Sequence, residues 1–163
     1  MTWHLVYTKP RMESLALEKL CEQGLIGYLP IKPVERIRRG KREILQEPLF
    51  QRYVFILADD RFLMRRHAIR STPGVSHLLQ IGETDASVDD ELIGIIRSLE
   101  AGHQDQVEAY FKPNSVVKIT QGIYHDLEAI FVEDQGEQRA LLLIQLLQTD
   151  TRISIDKHHL SKI

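Results

Sequence analysis

The chain has 163 residues, 43% hydrophobic and 27% charged, with a formal net charge of −2. That length holds one ordinary domain or two small ones. A single cysteine, Cys21, excludes an internal disulfide and a cysteine metal cluster, and the longest apolar run, Ala140 to Ile144, is far too short to span a bilayer. The start at Trp3, Leu5 and Val6 lacks the basic stretch, apolar run and cleavage site of a signal peptide. The expectation is therefore a cytoplasmic protein with no membrane association.

Trp3 to Tyr7 reads as a first strand, ended by Lys9-Pro10. Met12, Leu15, Ala16, Lys19 and Leu20 follow helical spacing, and Gly24 or Gly27 stops that helix. Tyr28 to Val34 returns to strand character, with Pro30 and Pro33 implying an edge or a bend. Glu35 to Gln46 is polar and basic. Ile37 and Ile44 flank Arg39-Gly40-Lys41, which suits a projecting β-hairpin with Gly40 at its turn. Pro48 cannot donate a ladder hydrogen bond, so the next strand is expected after it, over Arg52 to Leu57.

Asp59 or Asp60 is positioned to cap a helix running through Ile69. Thr72-Pro73-Gly74-Val75 forms a turn into a strand from Val75 to Ile81. Ser87 or Asp89 caps the next helix, whose apolar stripe is Leu92, Ile93, Ile96 and Leu99. The polar stretch at Glu100 to Pro113 reads as a linker and places a domain boundary there.

The last fifty residues support two readings. Val116 to Ile119, Glu128 to Val132, Ala140 to Leu147 and Arg152 to Ile155 make strands of a small barrel. The same region carries helical periodicity through Val116, Ile119, Ile123, Leu127 and Ile130, then Leu143, Leu146 and Leu147. Good helix formers dominate Ala140 to Leu147, and short apolar runs are not settled by periodicity alone.

Charge is unevenly spread. Residues 1–80 carry 14 Lys and Arg against 8 Asp and Glu, while the remainder carries 7 against 15. The basic half suits phosphate and the acidic half does not. There is no Gly-x-Ser-x-Gly elbow, phosphate loop or His-Glu-x-x-His. His158-His159 lacks further ligands at metal spacing. The chain is read as a non-enzyme with no catalytic residue, metal or cofactor.

Glu47-Pro48-Leu49-Phe50-Gln51-Arg52-Tyr53-Val54-Phe55-Ile56 resembles the "PLFPGYVF" signature of the NusG family of transcription elongation factors. Trp3 to Tyr7, the basic hairpin and Thr72 to Val75 extend the likeness. Val117 to Tyr124 followed by Ala129-Ile130-Phe131 resembles a KOW module. Within the family the likeness is to the specialised RfaH branch. It runs through Arg38-Arg39-Gly40-Lys41-Arg42, Glu47 to Phe50, Gly74-Val75-Ser76-His77, Gly136-Glu137 and Leu141-Leu142-Leu143.

The resemblance implies an α+β fold. An N-terminal domain over 1–100 has an antiparallel sheet flanked by helices; a linker spans 101–113. The C-terminal domain, 114–163, packs as an α-helical hairpin and can refold into a five-stranded KOW β-barrel. Two packings of one segment must then lie within a few kcal/mol. The implied function is operon-specific antitermination, with suppression of pausing and termination. The implied partners of a monomer are RNA polymerase (the clamp helices of its β′ subunit and the gate loop of its β subunit), non-template single-stranded DNA of a paused complex, and ribosomal protein S10. The alternatives are a general NusG-type factor with a free KOW barrel, or a KOW-containing ribosome-associated RNA-binding protein.

Carried over residue by residue, Tyr7, Phe50 and Tyr53 match polymerase-binding positions, with Ile93 and Ile96 lining the same patch. Lys9, Arg11, Lys19, Gln23, Arg70 and Thr72 match the DNA-reading region. Glu47 and Arg139 match an interdomain salt bridge. Ile130, Phe131 and Leu142 are expected to cover the binding face, completing a latch. The basic hairpin of Arg36, Arg38, Arg39, Lys41 and Arg42 is a phosphate or polymerase candidate. Three departures stand out. Glu22 occupies an expected basic position, Arg65-Arg66-His67-Ala68 replaces a His-Thr-Thr-Thr run that touches the gate loop, and Asp126 replaces a turn glycine. The last weakens the barrel, because Asp tolerates positive φ less well than glycine.

Overall fold

The computed structural model describes residues 1–102 and 126–160. Five antiparallel strands form the main sheet: β1 (Thr2–Thr8), β2 (Gly27–Tyr28), β5 (Tyr53–Leu57), β6 (Val75–Leu78) and β9 (Ser87–Asp89). Their order is β2-β5-β1-β6, and β9 pairs with the first half of β1 beside β6. The β-branched and aromatic run Trp-His-Leu-Val-Tyr explains why β1 holds the centre. Its alternation decides the layers. Trp3 and Leu5 enter one apolar cluster, and Val6 enters the other.

On the Val6 side lie α1 (Glu13–Glu22) and α2 (Asp60–Ile69), which contribute Ala16, Leu20, Phe62 and Ile69. Asp59 caps α2 by accepting from the Phe62 amide at 3.0 Å. On the Leu5 side lies α3 (Asp90–Glu100), whose stripe Leu92, Ile93, Ile96 and Leu99 is joined by Ile95. Asp89, not Ser87, caps α3, accepting from the Leu92 amide at 2.8 Å. Replacing Asp89 by Ala is expected to cost about 1 kcal/mol, read as a lower urea midpoint at unchanged slope.

The projecting β-hairpin forms as the spacing predicts. β3 (Ile31–Arg38) and β4 (Lys41–Pro48) pair from Ile31↔Pro48 to Arg38↔Lys41, with the turn at Arg39-Gly40. The Tyr28–Val34 strand divides at Leu29-Pro30 into β2 and β3. Pro48 ends β4 rather than preceding β5 directly, and the turn Gln51-Arg52 separates it from Tyr53. The Val75–Ile81 strand likewise divides. β7 (Gln80–Ile81) leaves the main sheet to pair with β8 (Thr84–Asp85), pinned by Arg66 on Asp85 at 2.7 Å.

In the C-terminal part, residues 126–132 (α4) and Gly136–Leu160 (α5) are helical. The strand readings of Glu128 to Val132, Ala140 to Leu147 and Arg152 to Ile155 are not adopted in this structure. Asp126 lies in α4. Leu127 and Ile130 of α4, with Ala140, Leu143 and Leu147 of α5, enter the same cluster as α3 and the sheet. That burial rewards a helical stripe over alternating strands. The linker reading from residue 103 to 113, and Val116 to Tyr124 with its barrel motif, lie outside the described residues.

Candidate binding face

Phe50, Ile93 and Ile96 come together, each about 1% exposed. Phe50 meets Phe55 edge-on, with ring centroids 6.0 Å apart. Tyr7 and Tyr53 continue this face toward solvent and are only half-buried. Register puts Tyr53, Tyr7 and His77 side by side across β5, β1 and β6. Their rings tilt together at 5.2 and 5.0 Å, and the Arg52 guanidinium lies 4.1 Å over the Tyr7 ring. Burial, then the neighbouring Tyr7, pushes the Tyr53 phenol up from its ordinary pKa.

The α4–α5 pair covers the inner part of this face. Ile130 is buried and Phe131 half-buried. Leu142, expected on the covering side, is instead 36% exposed, and Leu143 is fully buried. The reason is helical phase. Arg139 is fully buried, and with Ala140, Leu143 and Leu147 it makes a buried stripe centred on Leu143, from which Leu142 is turned by about 100°.

Arg139 does not form the expected salt bridge with Glu47. Its Nε donates to the Leu49 carbonyl at 2.6 Å, Nη1 to the Glu133 carbonyl at 2.6 Å and Nη2 to the Pro48 carbonyl at 3.5 Å. β4 ends at Pro48, so the carbonyls of Pro48 and Leu49 are left for a side-chain donor. The Glu47 carboxylate pairs with Arg36 across the β-hairpin at 3.3 Å, and Arg36 also reaches Asp134 at 3.4 Å. Burial lowers the Arg139 pKa, and the nearby Glu47 charge acts against that shift.

Lys32 also joins the β-hairpin to the helical pair, though sequence reasoning gave it no role. Its ammonium donates to the Phe131 carbonyl at 2.6 Å and lies 5.2 Å from the Phe131 ring centroid. Burial, then Arg139, lowers its pKa. Lys32 and Arg139 thus place two cations on the carbonyl end of α4, where the helix dipole is negative. A cleft of about 640 Å³ opens along this seam between Arg11, Arg36, Glu47 and Gly136.

The six expected DNA-reading residues divide between the two ends of α1 and the turn beside it: Lys9 and Arg11 precede the helix, Lys19 and Gln23 lie in and just after its last turn, and Arg70 and Thr72 follow α2. Lys9, Arg11 and Arg70 are exposed. Lys19 pairs with Glu22 at 3.3 Å. Gln23 donates to the Thr72 hydroxyl at 2.8 Å, and that hydroxyl donates to the Ala68 carbonyl at 3.2 Å. Thr72 is 4% exposed, so in this structure it ties α1 to the end of α2. The β-hairpin holds Arg38, Arg39, Lys41 and Arg42 exposed beside Ile37 and Ile44, which are 77% and 75% exposed.

Among the described residues no helix is long and apolar enough to cross a membrane, and no cluster of three or more metal-ligating side chains forms. The solved structure described as "Domain interaction in Thermotoga maritima NusG" is similar to this chain at 20% identity and a TM-score of 0.43. The match covers 64% of this chain and 60% of that one, so the chain spans about 60% of that relative's length. The family model for NusG, transcription termination factor nusG, matches residues 1–97. That match takes in the whole sheet, the basic β-hairpin and the aromatic face, and the chain belongs to the NusG family of transcription factors.

Proposed function

We propose that the chain is an operon-specific transcription elongation and antitermination factor of the RfaH kind. It binds the β′ clamp helices of RNA polymerase through Tyr7, Phe50, Tyr53, Ile93 and Ile96. Lys9, Arg11, Lys19 and Arg70 meet non-template DNA of a paused complex, positioned by the Gln23–Thr72 contact. Arg65-Arg66-His67-Ala68 takes the gate-loop position with a chemistry of its own. The α4–α5 pair masks the polymerase face until recruitment releases it to refold as a KOW barrel that engages ribosomal protein S10. No step is catalytic and no cofactor is needed.

The observation that carries this reading is the burial of Phe50, Ile93 and Ile96 in one apolar cluster with Leu127, Ile130 and Leu143. Such an apolar patch, exposed on a free domain, would mark a docking site, and two cations on backbone carbonyls, Lys32 from the β-hairpin and Arg139 from α5, hold the covering helices to it. Aromatic anchors in such a face dominate binding. Tyr53→Ala removes one without opening the deep core, so affinity for a paused elongation complex is expected to fall about tenfold or more at unchanged secondary structure. Unchanged affinity would remove the polymerase face from Tyr53. Titration against paused complexes with a library of non-template sequences tests specificity. Enrichment of one sequence class supports the operon-specific reading, and equal binding to all makes the chain a general elongation factor.

A further inference from the structure

Arg52 stands in a conformation that L-residues avoid. Its φ is +71° at the third position of the turn Phe50–Tyr53, which is closed by the Tyr53 amide on the Phe50 carbonyl at 3.1 Å. Glycine is the low-strain residue there. Strain held by its surroundings, rather than relaxed away, is a mark of a working position.

The surroundings hold Arg52 at every backbone group. Its amide donates to the carboxylate of Glu13, which is 6% exposed, at 3.0 Å. Its carbonyl accepts from the Thr8 amide at 2.8 Å. Its Nε donates to the Thr8 carbonyl at 2.9 Å, and Thr8 is fully buried. The guanidinium is thereby laid on the Tyr7 ring at 4.1 Å. No carboxylate among the described residues forms an ion pair with it. Its two terminal nitrogens keep a fixed fork of donors at the rim of the aromatic row Tyr53–Tyr7–His77, the half-open end of the face that α4 and α5 cover elsewhere.

We propose that Arg52 is a specificity-determining contact of that face, and that it pairs with a carboxylate on a helical surface of RNA polymerase. The inference rests on the polymerase reading above and adds its charge complement. A planar fork matches a carboxylate with two parallel hydrogen bonds. Nucleic acid fits the site less well. Arg52 covers one face of Tyr7, and Tyr53 and His77 crowd its edges at 50° and 47°, so the ring has no clear platform for a base. Apolar rings around one oriented cation suit a carboxylate flanked by apolar side chains.

The test uses the full chain carrying Arg139→Ala, so that release of the helical pair does not limit binding. Binding to core RNA polymerase without nucleic acid is measured at low and high salt, and binding to a single-stranded oligonucleotide is measured separately. Arg52→Gly suits the left-handed backbone and is expected to keep or raise the melting temperature. It should weaken polymerase binding about tenfold at low salt, with the gap narrowing as salt screens the pair. Arg52→Lys should recover only part of the loss, because an ammonium lacks the fork. If Arg52→Gly binds polymerase like its parent while Tyr53→Ala does not, the Arg52 proposal fails and the polymerase reading stands. If the parent does not bind, or neither substitution alters binding, the polymerase reading falls and takes the proposal with it. A loss confined to the oligonucleotide overturns the protein partner.

Discussion

Replacing Arg139 by Ala is expected to release the α4–α5 pair from the rest of the chain. The guanidinium has no exposure, and its three donors serve Leu49, Glu133 and Pro48 carbonyls on both sides of the seam. Hydrogen bonds from a charged group contribute about 1.5–3 kcal/mol each. Deleting one partner of a buried set also leaves acceptors without donors and a cavity behind. The summed effect on docking is on the order of 3–5 kcal/mol, a large fraction of a domain's whole stability of about 5–15 kcal/mol. Amide hydrogen exchange is the direct measurement. Protection in 126–149 should fall at least tenfold while β1 and β5 keep theirs. Arg139→Met, which retains the aliphatic stem, should behave like the Ala variant if the charge matters and like the parent if only packing does. Unchanged protection in both would remove Arg139 from the latch. Glu47 is not its ion-pair partner: Glu47 instead holds Arg36, which reaches the same seam through Asp134.

Gly74→Ala is expected to destabilise the N-terminal domain by on the order of 3 kcal/mol. Two costs add. Gly74 has φ +85°, a region that costs an L-residue about 1–2 kcal/mol. An added Cβ would also lie 3.0 Å from the Ala16 amide nitrogen and 3.2 Å from the Met12 carbonyl oxygen. Those two atoms form the 2.8 Å hydrogen bond at the start of α1. Backbone in a helical turn yields little, and overpacking of this kind costs about 1–3 kcal/mol. Gly40 is the internal comparison. Its φ is +76° but nothing lies within 4 Å, so Gly40→Ala should show the backbone cost alone. Urea unfolding of both variants separates the costs, and equal losses would show that the approach of α1 to the turn does not matter. Because Lys9, Gln23 and Thr72 sit around that contact, Gly74→Ala should also weaken the DNA binding proposed for them.

Much of this architecture was legible in the sequence because it depends on local rules. The β-hairpin is marked by Arg39-Gly40, both at positive φ. The α3 stripe is marked by Leu92, Ile93, Ile96 and Leu99, and α2 by its Asp59 cap. The family resemblance put Phe50, Ile93 and Ile96 on one patch, and the structure buries all three in one cluster, Phe50 from the turn before β5 and the two isoleucines from α3. Lys32 and Arg52 were missed for a shared reason. Their partners are a backbone carbonyl 99 residues away in one case and a ring 45 positions back in the other, and neither contact leaves a spacing in the chain. Arg52 did leave one sign, an arginine in a turn where positive φ favours glycine. Leu142 was chosen over Leu143 because a leucine run carries no phase of its own, and one helical step separates the covered face from the open one.

By itself the sequence determined most element types of the first hundred residues, the basic first half, the β-hairpin and a C-terminal segment able to read as helix or strand. Propensity, alternation and turn chemistry act over a few residues, and they are written in the residues that obey them. The tertiary structure decided the rest. It favoured helix for 126–132 and for Ala140 to Leu147 by offering an apolar face from the sheet and α3, which a helical stripe fills. It directed Arg139 to carbonyls rather than to a carboxylate because β4 ends at Pro48. It also fixed Arg52 over Tyr7 by anchoring a strained turn to Glu13 and Thr8. These outcomes depend on groups far apart in the chain, whose meeting is set by packing rather than by the order of residues.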